Sequence, residues 1–328
     1  MFAICRRTFL AAAVAAALIP LGANAAEKTY DADVVVIGAG ASGTAAAWAA
    51  AEKGLKVVTL EKAAFPGGTG QFSEGIFAVE SRMQKDWNYA LTKDEAFLKI
   101  MNYGHWRGNA KMVRAFVDKS GETIDWMQKQ GVKFEKLFSN YPNGLYTWHI
   151  YEGRGAGWIK LFQEKYKQAG QTLLTETWGE KLIMKDGRVA GVEGKNKAGD
   201  TVTVNAKATI IATGGFFANK EMREKYLRFP NADGLAQDGK TGDGIRMALW
   251  AGAELEAGGA CMIWNRGIMF DDTEFDGSYQ GGDIFLPGSQ PFLHVNANGE
   301  RFMNEDVPGQ NIAAEHTRQP VAKDPELA

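Results

Sequence analysis

Gly38, Gly40 and Gly43 stand in the order G-x-G-x-x-G within Gly38-Ala39-Gly40-Ala41-Ser42-Gly43, and an acid, Glu61, follows about 20 residues later. Glycines at this spacing can do one kind of chemistry well. Gly38 permits a tight turn, Gly40 lets backbone N–H groups approach a diphosphate, and Gly43 lets a helix pack closely on a strand. The start of that helix, with Ser42 in its first turn, offers partial positive charge and free N–H donors to phosphate. Glu61 can accept hydrogen bonds from ribose hydroxyls. These residue types point to a bound dinucleotide.

Such a site needs a strand, a turn, a helix and a second strand. Ala32 to Ile37 is a short β-branched run that reads as a buried parallel strand. Thr44 to Lys53 is Ala-rich and helix-forming, and Leu55 to Glu61 reads as a second strand that ends in the acid. Further on, apolar residues at helical spacing between Lys93 and Gly131 (Phe97, Ile100, Met101, Met112, Val113, Phe116, Ile124, Met127) predict two or three helices. Gly153 to Gly170 predicts another, carrying Trp158, Leu161 and Phe162. Leu173 to Val204 alternates in short strands around a turn at Asp186-Gly187, which predicts a small antiparallel sheet. Tyr146 to Tyr151 reads as a packed strand or loop.

Four motifs in order give a specific resemblance. Glu61-Lys62 leads into Pro66-Gly67-Gly68-Thr69-Gly70-Gln71-Phe72-Ser73-Glu74-Gly75. A strand ends in Ala212-Thr213-Gly214-Gly215, a turn reads Thr241-Gly242-Asp243-Gly244, and Val295 to Glu305 contains Arg301-Phe302-Met303-Asn304-Glu305. From Asp33 to Glu305 the chain resembles the fumarate reductase and succinate dehydrogenase flavoproteins, also called FAD-dependent oxidoreductase family 2. The resemblance implies an α/β fold: a Rossmann-like FAD-binding domain, with a parallel sheet, helices and a small antiparallel sheet, plus part of an α+β substrate-capping domain. It implies FAD as cofactor. Gly68, Thr69, Gly70, Glu74 and Gly75 would run along the flavin, Thr213 and Gly214 would form a second contact, and Asp243 would reach the cofactor from its turn. Thr69 stands where the family has Asn, Gly70 where it has Ser or Thr, and Glu74-Gly75 replaces Ala-Gly or Gly-Gly.

The implied reaction is reduction of an activated C=C bond of a small organic acceptor, with electrons from a cytochrome or membrane redox protein. A ketosteroid-dehydrogenase-like flavoenzyme and an FAD-binding remnant without turnover are the alternatives. The chain departs from the family where fumarate chemistry is concerned. The proton-donating arginine expected after Glu305 falls on Gly309, and the Glu/Arg relay before it falls near Phe285 and Gly288. Gly267 to Leu293 is acidic (Asp271, Asp272, Glu274, Asp276, Asp283), which disfavours a dicarboxylate. The family's closing return to the FAD domain has no counterpart after Glu305, so the chain reads as ending well short of the family's length.

Composition bounds the rest. The 328 residues are 45% apolar and 23% charged, an ordinary globular balance. A formal net charge of −2 gives no electrostatic footprint for nucleic acid. Two cysteines and four scattered histidines provide neither a disulfide scaffold nor a metal-ligand set, and C-x-x-C-H is absent. Arg6-Arg7-Thr8-Phe9-Leu10 opens an apolar run to Leu21, followed by Ala23-Asn24-Ala25. That reads as an export signal resembling the twin-arginine type, although Cys5 and Ala11 depart from its pattern, with an ordinary Sec signal as the alternative; its run of about a dozen apolar residues is too short for a span of roughly 20. Residues 1–25 are read as the signal, 26–254 as the FAD-binding domain and 255–328 as part of the capping domain, in a periplasmic or other extracytoplasmic protein.

Overall fold

Val34, Val35, Val36 and Ile37 are all buried, and successive side chains of a strand point to opposite faces. Both faces of this strand are therefore covered, which is why the run is apolar without alternation. The computed structural model describes residues 26–139, 144–227, 239–256, 293–296 and 298–305. In it the run closes β1 (Glu27–Ile37), which is followed by α1 (Ala41–Ala51) and β2 (Val57–Leu60). β1 starts five residues before the apolar run because Glu27 to Asp31 pair through their backbone with Thr201 to Asn205. Exposed polar side chains there leave no hydrophobic signal.

A six-stranded sheet has the order β6-β2-β1-β9-β8-β7, with β6 (Thr172–Leu174), β7 (Thr177–Lys185), β8 (Arg188–Asn196) and β9 (Thr201–Ile211). β6, β2, β1 and β9 run parallel, and β8 and β7 continue antiparallel. On one face Val35, Ile37, Val58 and Leu60 pack with Leu182, Val192, Val202 and Val204, and with Met247 of α7 (Asp243–Trp250). On the other, Val34, Val36 and Val57 pack with Ala47 and Ala51 of α1 and with Tyr166 of α5 (Arg154–Gln168). The Tyr166 hydroxyl lies between the carbonyls of Val57 (2.9 Å) and Thr172 (3.0 Å) and can donate its one proton to either, so α5 also sits against both β2 and β6.

The turn at Asp186-Gly187 is where the sequence places it. The antiparallel sheet read at 173–204 is not a separate unit, however. β6 joins the parallel edge, and β7 and β8 extend the main sheet. The separate small antiparallel sheet has the order β3-β5-β4, from β3 (Gly75–Phe77), β4 (Phe134–Phe138) and β5 (Trp148–Tyr151). Its strands come from distant segments, so no single stretch of sequence announces it. α3 (Lys93–Tyr103) and α4 (Ala110–Lys129) fill the expected helical region. α2 (Arg82–Asp86) is an addition, held by a Ser81/Gln84 capping box. Met101, Ile124 and Met127 are buried as their spacing predicts, whereas Met112 and Phe116 are exposed. A short helix, α6 (Lys220–Tyr226), precedes α7. The stretch read as an export signal (1–25) and nearly all of that read as a capping domain, including 257–292 and 306–328, lie outside the described residues.

The small sheet holds a buried histidine. His149 faces Ser81, with Nε2 2.7 Å from Oγ, and its Nδ1 lies 3.2 Å from the Thr147 carbonyl. The Thr147 carbonyl can only accept, so Nδ1 carries a proton, and in the neutral ring Nε2 then accepts from the Ser81 hydroxyl. Burial pushes the His149 pKa down from its ordinary value. The unfolded chain thus takes up a proton near pH 6.5 that the folded chain refuses. Stability contributed by the neutral ring is full above about pH 6.5 and falls as the pH drops towards the depressed folded value. His149→Gln retains an acceptor for Ser81 without a titrating ring. Thermal midpoints measured against pH should fall less steeply below pH 6.5 in His149→Gln than in the wild type; parallel curves would remove His149 as the cause.

Candidate functional site

The turn from β1 into α1 shows which glycines the chain's own packing demands. Gly38 has φ +99°, and a Cβ there would lie 2.5 Å from the Ala212 carbonyl oxygen. A Cβ on Gly43 would lie 1.8 Å from the Gly38 oxygen and 3.2 Å from Ala212 Cβ. Gly40 is different. Its backbone is ordinary for any residue (φ −70°, ψ −165°), and a Cβ would meet only the Gly67 oxygen, at 4.0 Å. Nothing among the described residues crowds Gly40, so the missing side chain leaves room for something outside them.

Gly40 is also the N-cap of α1, and no side chain caps that end. The first N–H groups of a helix have no carbonyl one turn back, so those of Ser42 and Gly43 have no helical partner and remain as donors among the described residues. No acid sits in the first turn. Ser42 is exposed there.

Glu61, at the end of β2, is turned towards this loop. Its Oε2 accepts from the Ala39 N–H (2.7 Å) and its Oε1 from the Ala63 N–H (2.8 Å). A carboxylate has about four lone-pair positions, so two bonds to the backbone fix its orientation and leave acceptor capacity free. Lys62 points elsewhere. Its Nζ donates to Thr241 Oγ1 and Asp243 Oδ2, each at 3.0 Å. Asp243, the first residue of α7, also accepts from Thr241 Oγ1 (2.8 Å) and pairs with Arg246 (2.5 Å). Burial would raise the Asp243 carboxyl, but hydrogen bonds from Lys62, Thr241 and Arg246 outweigh it and hold the group below the usual carboxylate range. Lys62 and Asp243 thus tie β2 to α7, with the Asp243 side chain engaged by the protein itself. The sequence reading does not name Arg246, although it stands one helical turn from Asp243, a spacing at which an acid and a base pair.

The Gly67–Gly75 segment splits between two roles. Gly67 donates to the Ala39 carbonyl (2.8 Å) and forms a bridge with Gly40, which sets Gly68 and Thr69 beside the glycine turn. A 3-10 turn runs from Gly68 to Phe72. Gly70 packs on Ala41 and Ile159, where a Cβ would lie 2.6 Å from Ala41 Cβ. Glu74 and Gly75 belong to the small sheet: the Glu74 carbonyl accepts from the Tyr151 N–H (2.9 Å), and Gly75 pairs with Ile150. Thr213 and Gly214 follow β9 and reach the same place, since Thr213 Cα is 3.1 Å from where a Gly38 Cβ would stand. Lys240, which the sequence reading passes over, lays its side chain along Gly214.

The bare Cα of Gly40, the uncapped α1 terminus and the oriented Glu61 fit the diphosphate and ribose of a dinucleotide. The hairpin near Glu305 is present: Val295 bridges Arg301, and Arg301 pairs with Glu305. Gly309, Phe285, Gly288 and the acidic stretch up to residue 292 lie outside the described residues.

The family described as an FAD binding domain matches residues 33–326. Vinyl phenol reductase of Lactiplantibacillus plantarum is 35% identical over 281 residues, covering 84% of this chain and 57% of that protein. Urocanate reductase of Eggerthella lenta is 31% identical over 288 residues, 84% of this chain and 46% of that one. Among solved structures, a flavocytochrome c3 fumarate reductase in its open conformation superposes with a TM-score of 0.71 at 23% identity, over 89% of this chain and 51% of that chain. At that identity the likeness is one of fold. The chain spans about half the length of these relatives.

Proposed function

The chain belongs to the FAD binding domain family that includes the fumarate reductase flavoproteins, and from that premise we propose that it is the flavin-holding part of a reductase acting on an activated C=C bond. The observation that carries this reading is the open cradle at Gly40, with free helix donors on one side and Glu61 held in place on the other. When bound, FAD supplies two-electron chemistry, passing a hydride to a polarised double bond. The residues of this chain bind and orient. The first N–H groups of α1 would take the diphosphate, Glu61 the ribose hydroxyls, and Gly68, Thr69 and Gly70 the neighbouring edge of the cofactor. Thr213-Gly214 and the Asp243 turn would close the cradle.

The names of two relatives, a vinyl phenol reductase and a urocanate reductase, favour a small unsaturated acceptor, and the acidic 267–293 stretch disfavours fumarate. We assign electron delivery to a cytochrome or membrane redox protein. Export rests on Arg6-Arg7, the Leu10–Leu21 apolar run and Ala23-Asn24-Ala25; twin-arginine export of a folded protein suits one that loads its cofactor first.

Two measurements test the reading. Flavin absorbance retained through gel filtration reports binding, and reoxidation of reduced viologen by 4-vinylphenol, urocanate and fumarate reports turnover. Retained flavin with faster turnover of the first two acceptors is expected. A colourless protein overturns the site assignment, and retained flavin with no acceptor turned over overturns the reductase assignment for this chain. For export, the periplasmic fraction should hold a form beginning at Ala26.

A further inference from the structure

Lys240 sits where two stretches of chain are clamped together. Its carbonyl accepts from the Ala218 N–H (3.1 Å), the Gly242 N–H donates to the Gly215 carbonyl (3.2 Å), and Asn219 Nδ2 donates to the Thr241 carbonyl (3.1 Å). The clamp lays the lysine stem along Gly214. A Cβ on Gly214 would stand 3.8 and 3.9 Å from Lys240 Cγ and Cε. Gly214 adjoins Thr213, whose Cα approaches Gly38. The lysine stem is therefore held along Gly214, one residue from the Thr213 that packs against Gly38.

Its basic neighbours are engaged, and among the described residues it is not. Lys62 and Arg246 both engage Asp243, and Thr241 takes up the same carboxylate. No hydrogen bond or ion pair of the Lys240 ammonium exists among the described residues. The side chain is half-buried, and that burial pushes its pKa down. A partly desolvated cation without a counter-charge is unfavourable until an anion arrives.

We propose that Lys240 is a binding residue for the diphosphate of the dinucleotide, adding a charged side-chain donor to the backbone N–H groups of α1. The proposal rests on the FAD reading of this site and names a contact beyond the glycine turn and Glu61. It predicts a charge-assisted hydrogen bond, the stronger kind, and a salt-sensitive one.

The test is titration of the apo chain with FAD, followed by flavin fluorescence at low and high salt, for the wild type, Lys240→Gln and Lys240→Arg. Displacement of FAD by ADP and by adenosine is measured alongside. Lys240→Gln should weaken FAD and ADP about tenfold, reduce the salt dependence, leave adenosine unchanged and not lower the apo thermal midpoint; Lys240→Arg should keep most of the affinity. Equal FAD affinity in Lys240→Gln and the wild type overturns the proposal, as does equal loss for ADP and adenosine. Failure of the wild type to bind FAD at all is a different result: it overturns the site reading itself, and this proposal with it.

Discussion

Gly43→Ala is expected to damage the fold and FAD binding together, whereas Gly40→Ala is expected to spare the fold and weaken FAD alone. The two residues are three apart in one turn, yet a methyl group meets different surroundings at each. At Gly43 it would lie 1.8 Å from the Gly38 oxygen, 2.9 Å from the Gly38 carbonyl carbon and 3.2 Å from Ala212 Cβ. The first two are backbone atoms that cannot rotate aside, so α1 must move off β1. That strains the packing of Ala47 and Ala51 on Val34, Val36 and Val57, at a cost of about 3 kcal/mol or more, the upper end for overpacking. At Gly40 the methyl meets nothing nearer than 4.0 Å among the described residues, and the backbone is already one that alanine adopts. Loss of backbone freedom in the unfolded chain then makes the apo form about 0.4–1 kcal/mol more stable. The same methyl would project into the space assigned to the diphosphate, weakening FAD about tenfold or more, roughly 1.4 kcal/mol. Apo thermal midpoints and FAD dissociation constants for both variants decide the matter. Unchanged FAD affinity in Gly40→Ala would move the diphosphate away from this turn.

The same contrast explains what the sequence makes legible. The glycine turn declares itself because its requirements are local: a strand buried on both faces, a turn, a small-residue helix, then an acid at the end of the next strand. β1 from Val34 onward, α1 and β2 follow from those residues within a few positions. The antiparallel sheet of β3, β4 and β5 does not, since Gly75–Phe77 finds its partner only at Trp148–Ile150. Nor does the tie between Lys62 and Asp243, residues 181 apart; each belongs to a motif, but nothing in either motif says that the two side chains meet. Helical spacing places Met112 and Phe116 on α4 with the buried residues, yet both are exposed, because periodicity specifies a stripe and not its full width. Lys240 is invisible to motif reading for a similar reason. Its significance comes from the partners it lacks among the described residues, and only the placement of neighbouring carboxylates reveals that.

Glu61→Ala is expected to show the second large effect, through two losses that separate variants can tell apart. The carboxylate holds the glycine turn by accepting from Ala39 and Ala63, and Ala39 is only 3% exposed. Removing the acceptor leaves a buried N–H unpaired, which costs the apo chain about 1–3 kcal/mol. The remaining lone pairs are the ones assigned to ribose hydroxyls, and a charge-assisted bond of that kind contributes roughly 1.5–3 kcal/mol, so FAD should bind about 10- to 100-fold more weakly. Glu61→Gln separates the two. Its oxygen can still accept from Ala39, but its amide group then faces the Ala63 N–H donor to donor, and the negative charge is gone. It should recover most of the apo stability and little of the FAD affinity. Replacement of the exposed His105 by Gln, far from any residue of the cradle in sequence, serves as the neutral comparison. Titration of each apo variant with FAD, set against its thermal midpoint without cofactor, gives both quantities. If Glu61→Ala binds FAD as the wild type does, Glu61 is a strut of the glycine turn and nothing more, and the ribose must find its acceptor elsewhere.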